Sequence, residues 1–69
     1  YKDDFAGAID ALRRSIALQP SLHESHYTLG ITLMQQGKLD EAIAAFRGAV
    51  AAKPDFSQAF YTLGTALQQ

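Results

Sequence analysis

His23 and His26 stand three residues apart, a spacing that brings two imidazoles to one side of a helix. Two imidazoles leave a metal ion short of ligands, since a zinc site needs at least three from the protein. The run His23-Glu24-Ser25-His26 also differs from the His-Glu-x-x-His arrangement that binds zinc. The expectation is therefore one exposed histidine, one partly buried packing histidine and no metal. Serines, histidines and carboxylates are present, but no nucleophile elbow, glycine-rich phosphate loop or close catalytic set emerges from their spacing. The reading is a non-enzymatic chain without a cofactor. Arg13, Arg14 and Arg47 fall on outward helix sides, and six Lys and Arg balance seven Asp and Glu. A net charge of −1 gives no broad attraction for a phosphate backbone, so no nucleic-acid partner is expected. The remaining chemistry is that of Tyr27-Thr28 and Tyr61-Thr62. Each pair offers rigid aromatic area and hydroxyls able to hydrogen-bond an extended backbone.

Those two pairs belong to a longer correspondence. Laid over itself so that Tyr27 falls on Tyr61, the chain matches at twelve of thirty-five positions. Among them are Ala8/Ala42, Ile9/Ile43, Ala11/Ala45, Pro20/Pro54, Leu29/Leu63, Gly30/Gly64 and Leu33/Leu67. Chance at ordinary composition would give roughly two or three. The period is thirty-four. A fixed period in this range marks a stacked array of small supersecondary units, which presents a binding surface rather than a catalytic pocket.

Apolar spacing and stop signals predict four helices, over residues 4–19, 22–36, 39–53 and 56–69. Phe5, Ala8, Ile9, Leu12 and Ile16 stripe the first, and Leu39, Ala42, Ile43, Phe46, Ala49 and Val50 stripe the third. Asp3 or Asp4, Ser21 and Asp55 are the expected N-caps of the first, second and fourth. Pro20 and Pro54 stop the first and third helices, and Gly37 closes the second in the left-handed conformation. Connections of two to four residues force neighbouring helices antiparallel. Gly48 inside the third helix costs about 0.8–1 kcal/mol relative to Ala, so either it is tolerated or a neighbour comes close. No cysteine is present, so there is neither a disulfide nor a thiolate site; this fits a reducing, cytoplasmic setting without establishing one. No apolar run approaches the ~18 residues of a membrane span, so no membrane partner is expected.

The chain resembles the tetratricopeptide repeat family, whose unit carries Leu-Gly in its first helix, Ala and an aromatic in its second, and a closing Pro. Leu29-Gly30, Ala42, Phe46, Ala49 and Pro54 stand at that spacing. The resemblance implies an all-α fold of antiparallel helix-turn-helix repeats, stacked in a right-handed superhelical solenoid of four helices. Residues 1–22 would be the second half of one repeat, 23–56 a complete repeat and 57–69 the first helix of the next. His26 stands where the family puts Trp or another large apolar residue, and Ser15 stands where Ala49 stands in the next unit. Both departures point to looser packing in the first half.

In helical projection His26, Leu29, Gly30 and Leu33 face the neighbouring helices. Glu24, Tyr27, Thr28, Ile31, Met34 and Gln35 face away, matched by Gln58, Tyr61, Thr62, Thr65, Gln68 and Gln69. The resemblance implies that this second face lines a concave groove holding a peptide or helix of a protein partner. The competing reading has Tyr27 and Tyr61 only packing helix on helix. The family's carboxylate clamp uses Lys, Arg and Asn on this face, and none stands there. Thr28 and Thr62 replace the Asn ladder of other relatives. The expected ligand is therefore neutral, held by Tyr, Met and Ile contacts with hydroxyl and amide bonds. Two other readings stay open. Terminal half-units should leave apolar sides that drive self-association. The third has the segment as the substrate-recruiting arm of a larger enzyme, which the resemblance implies because the family is known for such fusions.

Overall fold

The structure, a computed structural model, describes residues 5–68. The cap expected at Asp3 or Asp4 and the groove position Gln69 lie outside the described residues. Four helices follow one another: α1 (Phe5–Leu18), α2 (His23–Gln35), α3 (Leu39–Ala52) and α4 (Ser57–Leu67). Each lies close to its expected bounds and packs on the next along the chain. No strand occurs among the described residues.

The turns show how the period is built. Gly37, at φ 80, ends α2 in a double closure: its own N–H donates to the Met34 carbonyl and that of Lys38 to the Leu33 carbonyl, both at 2.9 Å. This is the Schellman arrangement that a residue without Cβ enters cheaply. The two proline turns are copies. The Leu22 N–H donates to the Gln19 carbonyl at 3.1 Å, and one repeat later the Phe56 N–H donates to the Lys53 carbonyl at 3.0 Å.

That geometry corrects two expected caps. The residues flanking α2 and α4 at their N-termini are Leu22 and Phe56, and neither helix has a side-chain cap. Ser21 and Asp55 lie one position too early, inside the turn. The apolar cap residue instead turns half-buried toward the fold while its carbonyl accepts the first helical N–H groups. Asp55 pairs with Lys53 at 3.2 Å. The hydrogen bond from that ammonium, reinforced by its charge, holds the Asp55 carboxyl below its ordinary value. Any stabilisation from this pair is present above the unfolded-state pKa and is lost as pH falls through the lowered one.

The core lies between α2 and α3. Leu29, Leu33, Ala42, Ala45 and Phe46 are buried, joined by Ala66 from α4. Ala42, Phe46 and Ala49 have no exposed surface, whereas α1 has no fully buried residue. The two glycine positions read from the sequence explain the close helix approach. A Cβ on Gly30 would sit 2.5 Å from the Phe46 ring, and one on Gly48 would sit 2.5 Å from Nδ1 of His26. Gly48 thus has its reason: it admits the imidazole that replaces the family's large apolar residue. The His26 Nε2–H donates to the Pro20 carbonyl at 2.8 Å, which ties the α1–α2 turn to this contact.

Ser15 also acquires a physical account. Its hydroxyl meets that of Ser25 at 3.1 Å across α1 and α2. One repeat later the same two positions are Ala49 and Ala59, both without exposed surface. The junctions are alternatives, one hydroxyl pair and one methyl pair. Ser15→Ala alone should lower stability by about 1 kcal/mol, because it leaves Ser25 without its partner. Adding Ser25→Ala should recover most of that loss, as read by urea melts of the three variants. Strictly additive losses would contradict the pairing.

Candidate protein-binding face

The face begins where Tyr27 of α2 reaches Thr62 of α4 and Phe56 just before it. The Tyr27 ring packs on Phe46 with centroids 5.8 Å apart and on Phe56 at 5.2 Å. Its hydroxyl lies 3.5 Å from the Thr62 hydroxyl on α4, a long contact for an oxygen pair. Thr62 donates to the Gln58 carbonyl at 2.8 Å, so its oxygen is the acceptor toward Tyr27. Thr65 donates to the Tyr61 carbonyl at 3.1 Å. Both hydroxyls are thereby fixed in direction, with lone pairs left to accept from outside.

The expected residues divide into two groups. Glu24, Thr28, Gln35, Gln58, Tyr61 and Gln68 are exposed. Tyr27, Ile31, Met34, Thr62 and Thr65 are half-buried, and the first three of these pack partly against the core. The two tyrosines are therefore unequal: Tyr61 is 78% exposed, while Tyr27 is wedged between helices. Phe46 and Phe56, which hold Tyr27, have no counterparts around Tyr61 among the described residues. Thr32, not singled out in the sequence, is buried and donates to the Thr28 carbonyl at 2.9 Å. A threonine amid an apolar stripe gives no prior sign of burial, because the helix carbonyl that satisfies it is present in any sequence.

The histidines go separate ways. His23 meets Phe56 edge to face at 4.9 Å, whereas His26 turns to Pro20 and Gly48. Among the described residues no group of three or more His, Asp or Glu comes together. No described helix is long and apolar enough to cross a membrane. On the opposite side, Arg13, Ile16, His26, Leu29, Leu33, Glu41, Ala44 and Ala45 line an open cleft of about 470 Å³. An ion pair of Arg13 and Glu41, 3.3 Å long and well exposed, bridges α1 and α3 there. None of the expected groove residues lines this cleft.

Helix lengths, a fixed sequence period, duplicated proline turns and a glycine under an aromatic ring together describe one repeated helical hairpin. The tetratricopeptide repeat profile matches residues 1–57 and, in a second placement, 27–68. The chain belongs to the tetratricopeptide repeat family. No curated protein matches it. Tetratricopeptide repeats are protein-interaction modules as a rule and are typically non-enzymatic. Within the family's pattern the small positions here are Gly30 and Ala42, and the Phe46 ring fills the space over Gly30.

Proposed function

We propose that the outward face of α2 and α4 binds an uncharged extended peptide or helix of a partner protein. One complete repeat, residues 23–56, supplies α2 and its support, and the half-repeat 57–69 supplies α4; residues 1–22 complete the stack on the other side. The observation that carries this reading is the continuity of the two helices' outward surfaces through Tyr27, Phe56 and Thr62, with Tyr61 standing out beside them. A large aromatic 78% exposed, next to oriented hydroxyls and amides, is an anchor of the kind that interfaces use. Glu24 is the one charged residue of the set, so the face has no cation with which to clamp a terminal carboxylate. Selectivity rests on shape and on hydrogen bonds to Thr and Gln.

Tyr61→Ala should weaken a peptide selected by display on this chain by about thirtyfold or more, since truncated anchors cost roughly 2 kcal/mol or more. Folding should be little affected, because that ring is largely in solvent. Adding Tyr27→Ala should abolish binding, with some loss of stability from the packed ring. Unchanged affinity in both variants, by calorimetry, would remove the face from consideration. A peptide ending in a free acidic carboxylate should bind no better than its amidated form.

A further inference from the structure

Two threonines on the outward side of α4 have their hydroxyl protons already committed. Thr62 donates to the Gln58 carbonyl at 2.8 Å and Thr65 to the Tyr61 carbonyl at 3.1 Å. A hydroxyl has one proton and two lone pairs, so both oxygens are left as acceptors only. The Tyr27 hydroxyl, 3.5 Å from that of Thr62, takes up one lone pair there and leaves the other. Glu24, the one charged residue of the face, is an acceptor as well, and no Lys or Arg stands among the face residues. The glutamines carry donor and acceptor alike. Hydrogen-bonding capacity on this face is weighted toward acceptance, so what binds it must bring donors.

The openness of this side belongs to the repeat, whatever follows Gln69. α4 has its preceding neighbour in place, since Tyr27 of α2 reaches Thr62. α2 has its following neighbours in place, with α3 packed on it and Phe56 and Thr62 against Tyr27. At the α2 positions one repeat before Thr62 and Thr65, Thr28 is exposed and Ile31 keeps part of its surface. The side of α4 that continues the helical stack is a different one, that of Phe60, Leu63, Gly64 and Leu67. It corresponds to the α2 side that lies under α3.

We propose, on the reading that this face binds a peptide, that Thr62 and Thr65 accept backbone N–H groups of an extended segment. They thereby select extended over helical ligands and exclude proline at two positions. In an extended strand the N–H groups of residues two apart point the same way, about 6.4–6.8 Å from each other. Thr62 and Thr65 are three apart on α4, which sets their side chains side by side, about 5–6 Å apart at Cβ. A strand inclined to the helix meets the two oxygens with successive same-side N–H groups. A helical ligand cannot, because beyond its first turn the N–H groups donate to its own carbonyls. Proline has no N–H, so at either donating position it leaves a threonine oxygen without its partner.

The test uses a peptide selected from a random linear library by display on the 69-residue chain. It is remade with each backbone amide in turn replaced by an ester, which removes one N–H. Calorimetry against wild type should find two esters, two residues apart, that each weaken binding about tenfold. Against Thr62→Val one of these losses should vanish, and against Thr65→Val the other, because the acceptor is already gone. Thr62→Ser and Thr65→Ser keep the oxygen and should keep both ester effects. Proline at either position should cost at least as much as the ester. Ester losses unchanged in the valine variants overturn the proposal, as does a bound peptide that is helical by circular dichroism. A peptide that needs Tyr61 yet ignores every ester also overturns it, while the peptide-binding reading stands. A peptide indifferent to Tyr61→Ala and Tyr27→Ala removes that reading, and the donor requirement with it.

Discussion

Gly30→Ala and Gly64→Ala, the same change one repeat apart, should move stability in opposite directions. At Gly30 the new methyl would lie 2.5, 2.7 and 2.8 Å from three atoms of the Phe46 ring. That ring has no exposed surface and is flanked by Tyr27, so it cannot swing aside. Overpacking of this kind costs about 1–3 kcal/mol and sometimes more, against a gain of about 1 kcal/mol in helix propensity. With rigid ring atoms this close, the upper end applies and the net loss is about 2 kcal/mol. At Gly64 no atom lies within 4 Å, so only the propensity gain of up to about 1 kcal/mol remains. For a chain of this size the melting temperature should fall by about 8–16 °C in the first variant and rise by about 4–8 °C in the second. Thermal melts followed by circular dichroism read both. Shifts of the same sign would contradict the account of why glycine stands at Gly30.

Phe46→Ala carries the largest expected loss, about 3–5 kcal/mol. The side chain is fully buried, fills the space over Gly30 and supports Tyr27. A domain of this length has roughly 3–10 kcal/mol in total. The midpoint of the helical circular dichroism melt should therefore fall by about 12–40 °C. The next residue, Arg47, is exposed on the same helix, and its replacement by Ala should change stability by no more than about 0.5 kcal/mol. Comparable effects at the two positions would mean that the core is not centred on Phe46.

Much of the architecture was legible because it is written twice. The stripe Ala42, Phe46 and Ala49 announced the buried face of α3, and Gly37 and the two prolines announced the turns. These are short-range signals, in which residue type alone restricts the backbone or the face. Features that depend on a partner from another helix were not legible. Ser21 and Asp55 read as caps because type and position agree, yet the proline turn carries them past the helix start. At Gly48 the sequence leaves both tolerance and a close neighbour open, and the His26 ring is that neighbour. Ser15 looked like loosened packing until Ser25 was found across from it.

The candidate face was legible in part. Projection set Glu24, Thr28, Gln35, Gln58, Tyr61 and Gln68 outward and they are exposed, but it set Tyr27, Ile31 and Met34 outward too, and these pack partly against the core. Tyr27 and Tyr61 read as equal rungs because a repeat lends identical residues identical surroundings. The structure gives them different ones: Tyr27 meets Phe46 and Phe56, whereas Tyr61 projects. The binding proposal therefore rests more on Tyr61 and on the exposed Thr and Gln positions than on a regular ladder.

Amide chemical-shift mapping with a display-selected, uncharged peptide tests the central claim most directly. The expected changes concentrate on Glu24, Thr28, Tyr61, Thr62, Thr65 and Gln68, along the outward side of α2 and α4. Changes centred instead on Arg13, Glu41, Ala44 and Ala45, around the open cleft on the opposite side, would contradict it.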